Sequence, residues 1–116
     1  FMNCLIMAQT SMQTLGKPIR IGKLDVAQYD LPKKLNWYDA KKDCAELGNG
    51  WRLPTREELS LLYQNRQIIG GFTNTYYWSS SETNDQNAWR HNFSFGMSGF
   101  IAEKHNEYMV RAVKVY

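Results

Sequence analysis

Apolar and polar residues alternate along the first clearly patterned segment, from Ile19 to Tyr29. Alternation with a period of two is typical of a half-buried β-strand. Gly22 interrupts the pattern, and a glycine at such a place permits a kink or a bulge. The sequence therefore predicts one strand over residues 19–29, ended by Leu31-Pro32.

A helical period begins after Asn36, whose side-chain oxygen can cap a helix. The side chains that fall on one stripe of this predicted helix are Trp37, Ala40, Lys41, Cys44 and Leu47. We expect that stripe to face the core. Gly48-Asn49-Gly50 supplies the left-handed backbone that ends the helix.

A second helix is predicted directly after Pro54. Thr55 and Glu58 have the spacing of a capping box, in which each side chain accepts a hydrogen bond from the backbone N–H of the other residue. The inward side chains at helical spacing are Leu59, Leu62 and Tyr63. Gly70-Gly71 then breaks the pattern.

The second half of the chain is rich in β-forming residues. The predicted strands are Tyr76–Ser81, Ala88–Phe95 and Val110–Tyr116, with a polar loop at Glu82–Asn87 and a long connection at Met97–Tyr108. Two helices followed by antiparallel strands indicate an α+β fold, with both helices flanking a twisted, mainly antiparallel sheet with long loops. We expect residues 19–116 to form this single domain.

Alternation also assigns faces within Ala88–Phe95. It places Trp89, His91, Phe93 and Phe95 on one face and Arg90, Asn92 and Ser94 on the other. The side chains expected in one common core are Trp37, Trp51, Leu53, Leu59, Leu62, Trp78, Trp89, Phe93 and Val113.

Composition excludes several classes of function. A chain of 116 residues, 43% of them hydrophobic, suffices for one core. The net charge of +3 comes from scattered residues without a basic stripe, so nucleic acid is not an expected partner. The longest apolar stretch, Cys4–Ala8, is far shorter than the roughly 20 residues of a membrane span, so membrane insertion is not expected either.

Two cysteines, Cys4 and Cys44, allow at most one disulfide. We interpret Cys44 as a buried small hydrophobe, with a disulfide or reactive pair as the alternative. Residues 1–18 are predicted to be an amino-terminal segment or edge strand. Phe1–Thr10 also fits the trimmed end of a signal peptide, although a basic start and a full apolar region are absent, so the compartment stays open.

Candidate chemistry is sparse. His91 and His105 are the two histidines, and no Ser-His-Asp set, phosphate loop or paired-histidine metal motif is present. The oxygen-bearing cluster of Glu82, Asn84 and Asp85 is interpreted as solvated loop polarity, so neither a metal nor a cofactor is expected. Arg111 is expected either to serve a ligand or to pair with a helix carboxylate, Glu57 or Glu58.

Four strings of residues carry a specific resemblance. They are Trp51-Arg52-Leu53-Pro54-Thr55-Arg56-Glu57-Glu58-Leu59, Tyr77-Trp78-Ser79-Ser80, Ala88-Trp89 with Phe93 and Gly96, and Val110-Arg111-Ala112-Val113. In this order they resemble the collagen-like-protein C-terminal domain family, a bacterial family of unknown function with a C-type-lectin-like fold. The match extends from about Ile21 to Lys114. The Arg-Leu-Pro-Thr-x-x-Glu element also resembles the related formylglycine-generating sulfatase-modifying domains.

The resemblance implies a non-catalytic module that displays a ligand-binding surface, in a secreted, cell-surface or phage-associated protein that serves adhesion or receptor binding. Some members of the wider fold are diversified by retroelements, and residues 83–108 match the segment that such systems rewrite. The alternative is a degenerate enzyme related to the formylglycine-generating factors. That chemistry needs closely placed thiols and a cleft that reaches Cys44.

We expect a protein or glycan ligand to contact side chains that strands and loops bring to one exposed face. The candidates are Thr83, Asn84, Asp85, Asn87, Arg90, Asn92, Phe95, Met97, Phe100, His105 and Asn106. As an alternative, Phe95 and Phe100 cover a weak edge of the core. The sequence leaves the oligomeric state open.

Overall fold

A computed structural model describes residues 15–116, without the side chains of Met97 and Ser98. The predictions for Phe1–Thr10 and for Cys4 lie outside these residues. The elements are β1 (Ile19–Ile21), β2 (Leu24–Val26), α1 (Trp37–Glu46), α2 (Arg56–Gln64), α3 (Arg66–Ile69), β3 (Tyr76–Glu82), β4 (Asn87–Asn92), β5 (Met97–Glu103) and β6 (Val113–Val115). The predicted α+β class is confirmed, with the strands divided between two sheets.

The first sheet has the order β1-β2-β6 and is antiparallel throughout. The prediction of a single strand over residues 19–29 was wrong, because the chain reverses between Ile21 and Leu24, which pair with each other. Gly22 has a φ of 59° and lies in this two-residue turn. Such turns need positive φ values, which glycine adopts without strain, so the glycine marks a hairpin rather than a bulge.

The second sheet has the order β3-β4-β5 and is also antiparallel. The segment predicted as a long connection, residues 97–108, instead begins with β5, which pairs with β4 along its length. Gly99, with a φ of 103°, breaks the alternation that would have indicated a strand. The register shifts between the pairs Arg90–Phe100 and Asn92–Met97, where β5 has one extra residue and bulges against β4.

Both predicted helices are confirmed, and their starts are fixed by local hydrogen bonds. Asn36 caps α1 by accepting from the backbone N–H of Asp39. Thr55 and Glu58 form the predicted capping box at the start of α2. The short helix α3 was not predicted. No helix among the described residues is long and apolar enough to cross a membrane.

The predicted core residues are buried, with one exception, but they form two clusters rather than one. Trp37, Trp51, Leu53 and Trp78 belong to the cluster beside α1. Leu59, Leu62, Phe93 and Val113 belong to the cluster beneath α2. The exception is Trp89, which is half-buried and lies beneath the guanidinium of Arg56, at 3.8 Å from Cζ to the ring centroid.

Arg111 is fully buried and pairs with Asp30, so the predicted partners Glu57 and Glu58 were wrong. Glu58 is instead held by Arg52, at 2.7 Å, and by the capping box. Asp30 lies in the loop after β2, a long-range neighbour that no local pattern indicates. Burial raises the pKa of the Asp30 carboxyl, although Arg111 and Tyr77 oppose this effect.

Candidate functional site

The predicted site residues lie at both ends of the second sheet. Residues 83–86 form the turn between β3 and β4, and residues 93–96 form the turn between β4 and β5. Consecutive turns of an antiparallel sheet lie at opposite ends, here roughly 17 Å apart for a strand of this length. The tips of the two turns are therefore separated along the sheet, and ligand binding by these residues on one exposed face stays a prediction.

The β3–β4 turn carries Thr83, Asn84, Asp85 and Asn87 in an ordered loop. The side-chain oxygen of Asn84 accepts from the backbone N–H groups of Gln86 and Asn87, each at 2.8 Å, and from the Asn87 side chain at 3.1 Å. Thr83 donates through Oγ1 to the carbonyl of Asn87. These bonds hold the turn in one conformation before any ligand arrives.

Lys104 ties this turn to the end of β5. Its side chain is only 3% exposed, and Nζ donates to Glu82 Oε1 at 2.5 Å and to the Asp85 carbonyl at 2.9 Å. The ammonium also lies 4.3 Å from the ring centroid of Trp37. The hydrogen bond from Lys104 lowers the pKa of the Glu82 carboxyl.

A cleft of about 410 Å³ opens beside the Lys104 side chain. It is lined by Tyr38, Gln86, Glu103, Lys104 and His105. The Tyr38 hydroxyl donates to the Asp85 carbonyl at 3.4 Å, which brings α1 to the turn. The predicted residue His105 belongs to the cleft, and Asn106 follows it in an exposed turn. Sequence reasoning missed Tyr38 and Lys104.

In the middle of the sheet, Arg90 and Phe100 are opposite each other on β4 and β5. Arg90 is half-buried, and its Cζ lies 3.7 Å from the centroid of the Tyr76 ring. Nη1 donates to the Tyr108 hydroxyl at 2.6 Å. Tyr76 and Tyr108 were not predicted as site residues, because each is distant from Arg90 in the sequence.

At the β4–β5 turn the predicted exposure of the side chains is partly wrong. Asn92 was expected to point outward but is only 7% exposed, and its side chain accepts from the Ser94 backbone N–H at 2.8 Å. β4 keeps a regular register with β3 from Arg90 to Asn92, so Asn92 stays on the same face as Arg90 but is covered there. Phe95, which alternation grouped with the inward residues but which was also a candidate for the exposed face, is 74% exposed, since the strand ends before it. The predicted contact of Met97 concerns a side chain that lies outside the part of the chain that the structure describes.

The groups with catalytic potential are enclosed. Cys44 is fully buried, and desolvation together with the neighbouring Asp43 raises the pKa of its thiol to about 12. His91 is 3% exposed, and neither ring nitrogen has a hydrogen-bond partner among the described residues. Burial lowers the pKa of His91. No group of three or more His, Cys, Asp or Glu side chains in residues 15–116 is arranged to hold a metal ion.

Solved structures with a similar fold define the class of domain. EMS16, an antagonist of the collagen receptor integrin α2β1, has a TM-score of 0.65 at 10% identity, over 85% of this chain and 97% of its own. Botrocetin and the snake venom toxin convulxin each have a TM-score of 0.63 at 10% identity, over 87% of this chain and 98% and 96% of theirs. At this identity the similarity shows the fold alone, which is C-type-lectin-like.

The sequence identifies the family within that class. Residues 10–114 match the model of the Lcl C-terminal domain, so the chain belongs to the Lcl C-terminal domain family. This confirms the family that the sequence motifs indicated. No curated protein matches the chain significantly.

Proposed function

We propose that this domain is a non-catalytic recognition module that binds the surface of a protein or a glycan. The proposed contact surface, called the Arg90 face below, comprises Tyr76, Arg90 and Phe100 on the second sheet and Tyr108 in the segment after β5. The observation that carries the proposal is the Arg90 guanidinium, which is fixed in position but has no carboxylate partner among the described residues.

Two tyrosines fix this guanidinium. Arg90 stacks on the Tyr76 ring, lies 4.9 Å from the centroid of the Tyr108 ring and donates to the Tyr108 hydroxyl. The two rings are 5.7 Å apart. A side chain held in this way loses little conformational entropy when a ligand binds, so more of the interaction energy is kept as affinity.

The missing countercharge distinguishes Arg90 from a comparable arginine on the first sheet. Arg20 lies 3.4 Å from the ring centroid of Tyr116, but it also has a carboxylate partner, Asp25, at 3.1 Å. None of the ion pairs of the described residues includes Arg90. A carboxylate or other acidic group of a ligand would supply the missing partner, and guanidinium groups bind such groups in defined geometry.

The neighbouring aromatic rings support contact with a macromolecular surface. The half-buried Phe100 ring lies edge-on to Tyr76, with centroids 5.9 Å apart. Tyrosine and arginine together are typical of the residues that carry binding energy at interfaces, because they combine apolar area with directed hydrogen bonds.

The enzyme alternative is not favoured. Its chemistry needs a reactive thiolate in a substrate groove, whereas Cys44 is fully buried with its pKa raised to about 12. The histidine on the sheet, His91, is also enclosed by neighbouring rings. Both groups are better explained as parts of the core.

We also propose that residues 83–108 are the segment that a diversity-generating retroelement would rewrite, in a cell-surface or phage-associated protein. This is supported by the position of that segment, which contains both turns of the second sheet and most of the Arg90 face. A reverse-transcriptase gene beside the coding sequence, with a near-repeat of its 3′ end, would support this part. A neighbourhood lacking both would contradict it.

The recognition proposal is tested by screening the domain against arrays of surface proteins and glycans from bacteria that share its habitat. We expect at least one ligand that binds the wild-type domain and the Arg20→Ala variant but does not bind the Arg90→Ala variant. Arg20→Ala is the matched control, since it also removes one arginine from above a tyrosine ring. If every ligand found still binds the Arg90→Ala variant, the assignment of the site is wrong.

A further inference from the structure

We propose that the cleft lined by Tyr38, Gln86, Glu103, Lys104 and His105 is a second binding site, specific for a neutral sugar ring. The proposal is independent of the Arg90 face, with which the cleft shares no lining residue. It is based on three features of the cleft, namely a rigid floor, one exposed aromatic ring and a polar rim with little free charge.

The floor of the cleft is rigid because Lys104 is bound on several sides. Its ammonium group contacts Glu82, the Asp85 carbonyl and the Trp37 ring. Its backbone carbonyl accepts from the Trp37 backbone N–H at 2.8 Å. Since β5, α1 and the β3–β4 turn all meet at this side chain, the cleft is formed before a ligand enters.

The aromatic wall is Tyr38, which is 55% exposed although two contacts hold it in place. Its ring stands nearly perpendicular to the Trp37 ring, at 87° with centroids 5.6 Å apart, and its hydroxyl reaches the Asp85 carbonyl. An exposed and fixed tyrosine combines an apolar ring face with a polar tip. The C–H face of a sugar ring is apolar and flat enough to pack on such a ring.

The rim offers donors and acceptors together. Gln86 provides an amide with both functions, Glu103 accepts, and His105 Nε2 lies 3.0 Å from Glu103 Oε2. Neighbouring hydroxyl groups of a sugar each donate and accept, so they match a mixed set of this kind. An apolar ligand would leave these groups without partners.

Charge favours a neutral ligand. The positive charge of Lys104 is already paired with Glu82, so it is not available to an anion. Glu103, which lines the cleft, adds a carboxylate that would repel a carboxylated or sulfated sugar. The volume of about 410 Å³ lies near the lower end of the usual range for ligand sites and fits one or two sugar rings.

The experiment is an NMR titration of the ¹⁵N-labelled domain with methyl glycosides of glucose, galactose, mannose and N-acetylglucosamine. We expect at least one of them to shift the backbone amide signals of Tyr38, Gln86 and Lys104 in a saturable way. The dissociation constant for so small a ligand should be on the order of 1 mM. If none of the four shifts these signals at concentrations well above that value, the proposal is wrong.

Matched variants test the aromatic wall. Tyr38→Phe keeps the ring and should keep binding within about twofold, whereas Tyr38→Ala should weaken it about fivefold or more. Arg20→Ala, a substitution on the first sheet outside both proposed sites, should bind the glycoside as the wild type does. Because Tyr38 is exposed, both Tyr38→Phe and Tyr38→Ala should melt at nearly the same temperature as the wild type. Equal affinity of Tyr38→Ala and wild type, or tighter binding of methyl glucuronide than of methyl glucoside, would overturn the proposal.

Discussion

Arg111 and Asp30 form a buried ion pair between residues 81 positions apart, with Arg111 Nε 2.8 Å from Asp30 Oδ1. The Tyr77 hydroxyl donates to the second carboxylate oxygen at 2.7 Å. Arg111 Nη1 also donates to the carbonyls of Ala27 and Gly70. This cluster joins the loop after β2, the end of α3 and β3 to the segment before β6.

Replacing Arg111 by Met should lower the free energy of unfolding by about 3–5 kcal/mol, because the substitution leaves a buried carboxylate without its partner. Urea denaturation measures this loss. Arg20→Ala breaks an exposed pair and should cost at most about 1 kcal/mol. An Arg111→Met variant as stable as Arg20→Ala would show that the buried pair contributes nothing.

His91 makes stability depend on pH. Its ring lies between Tyr63 and Phe93, with centroids 5.4 Å and 5.2 Å away, and burial lowers its pKa below the ordinary value of about 6.5. Between the folded and the unfolded pKa only the unfolded chain binds the proton. The free energy of unfolding should therefore fall as the pH drops below about 6.5, and His91 should add no dependence above that range.

His91→Leu isolates this effect, since leucine fills a similar place without titrating. Unfolding of both proteins in urea at pH 7.5 and pH 5.5 is the measurement. The wild type should lose more stability between the two values than the variant does. Equal losses would mean that other groups, and not His91, cause the pH dependence.

Trp51 and Trp89 should differ in their contribution to stability. Trp51 is 4% exposed within the core cluster beside α1, so Trp51→Ala should cost about 3–5 kcal/mol. Trp89 is half-buried beneath Arg56, so Trp89→Ala should cost only about 1–2 kcal/mol. Chemical denaturation of the two variants distinguishes them. A loss for Trp89→Ala as large as that for Trp51→Ala would contradict the half-buried position.

The helices could be predicted because their signals are local. The capping partners Asn36 and Asp39 are three residues apart, as are Thr55 and Glu58, so the sequence itself holds both halves of each interaction. The strands were harder to predict, since pairing is not local. Gly99 removed the alternation from β5, and the sequence did not show that Asn92, although in phase with Arg90, would be covered.

Much of the candidate site could not be predicted for the same reason. Tyr38 reaches Asp85 across 47 residues, and Lys104 reaches it across 19. Arg90 was predicted from its place in a strand, but Tyr108, whose hydroxyl accepts its hydrogen bond, lies 18 residues away. A pattern of apolar and polar positions shows which face a side chain occupies, but not which distant side chain it meets.

The most direct test of the recognition proposal is the dissociation constant of the ligand identified by screening, measured for Arg90→Ala, Arg90→Lys and Arg20→Ala. Arg90→Ala should weaken binding about 30-fold, or about 2 kcal/mol, since Arg90 would be a central contact. Arg90→Lys should bind with intermediate affinity because it keeps the positive charge but loses the planar guanidinium group that stacks on Tyr76. Arg20→Ala should bind as the wild type does. Affinities of folded Arg90→Ala and Arg90→Lys that equal the wild-type value would contradict the account.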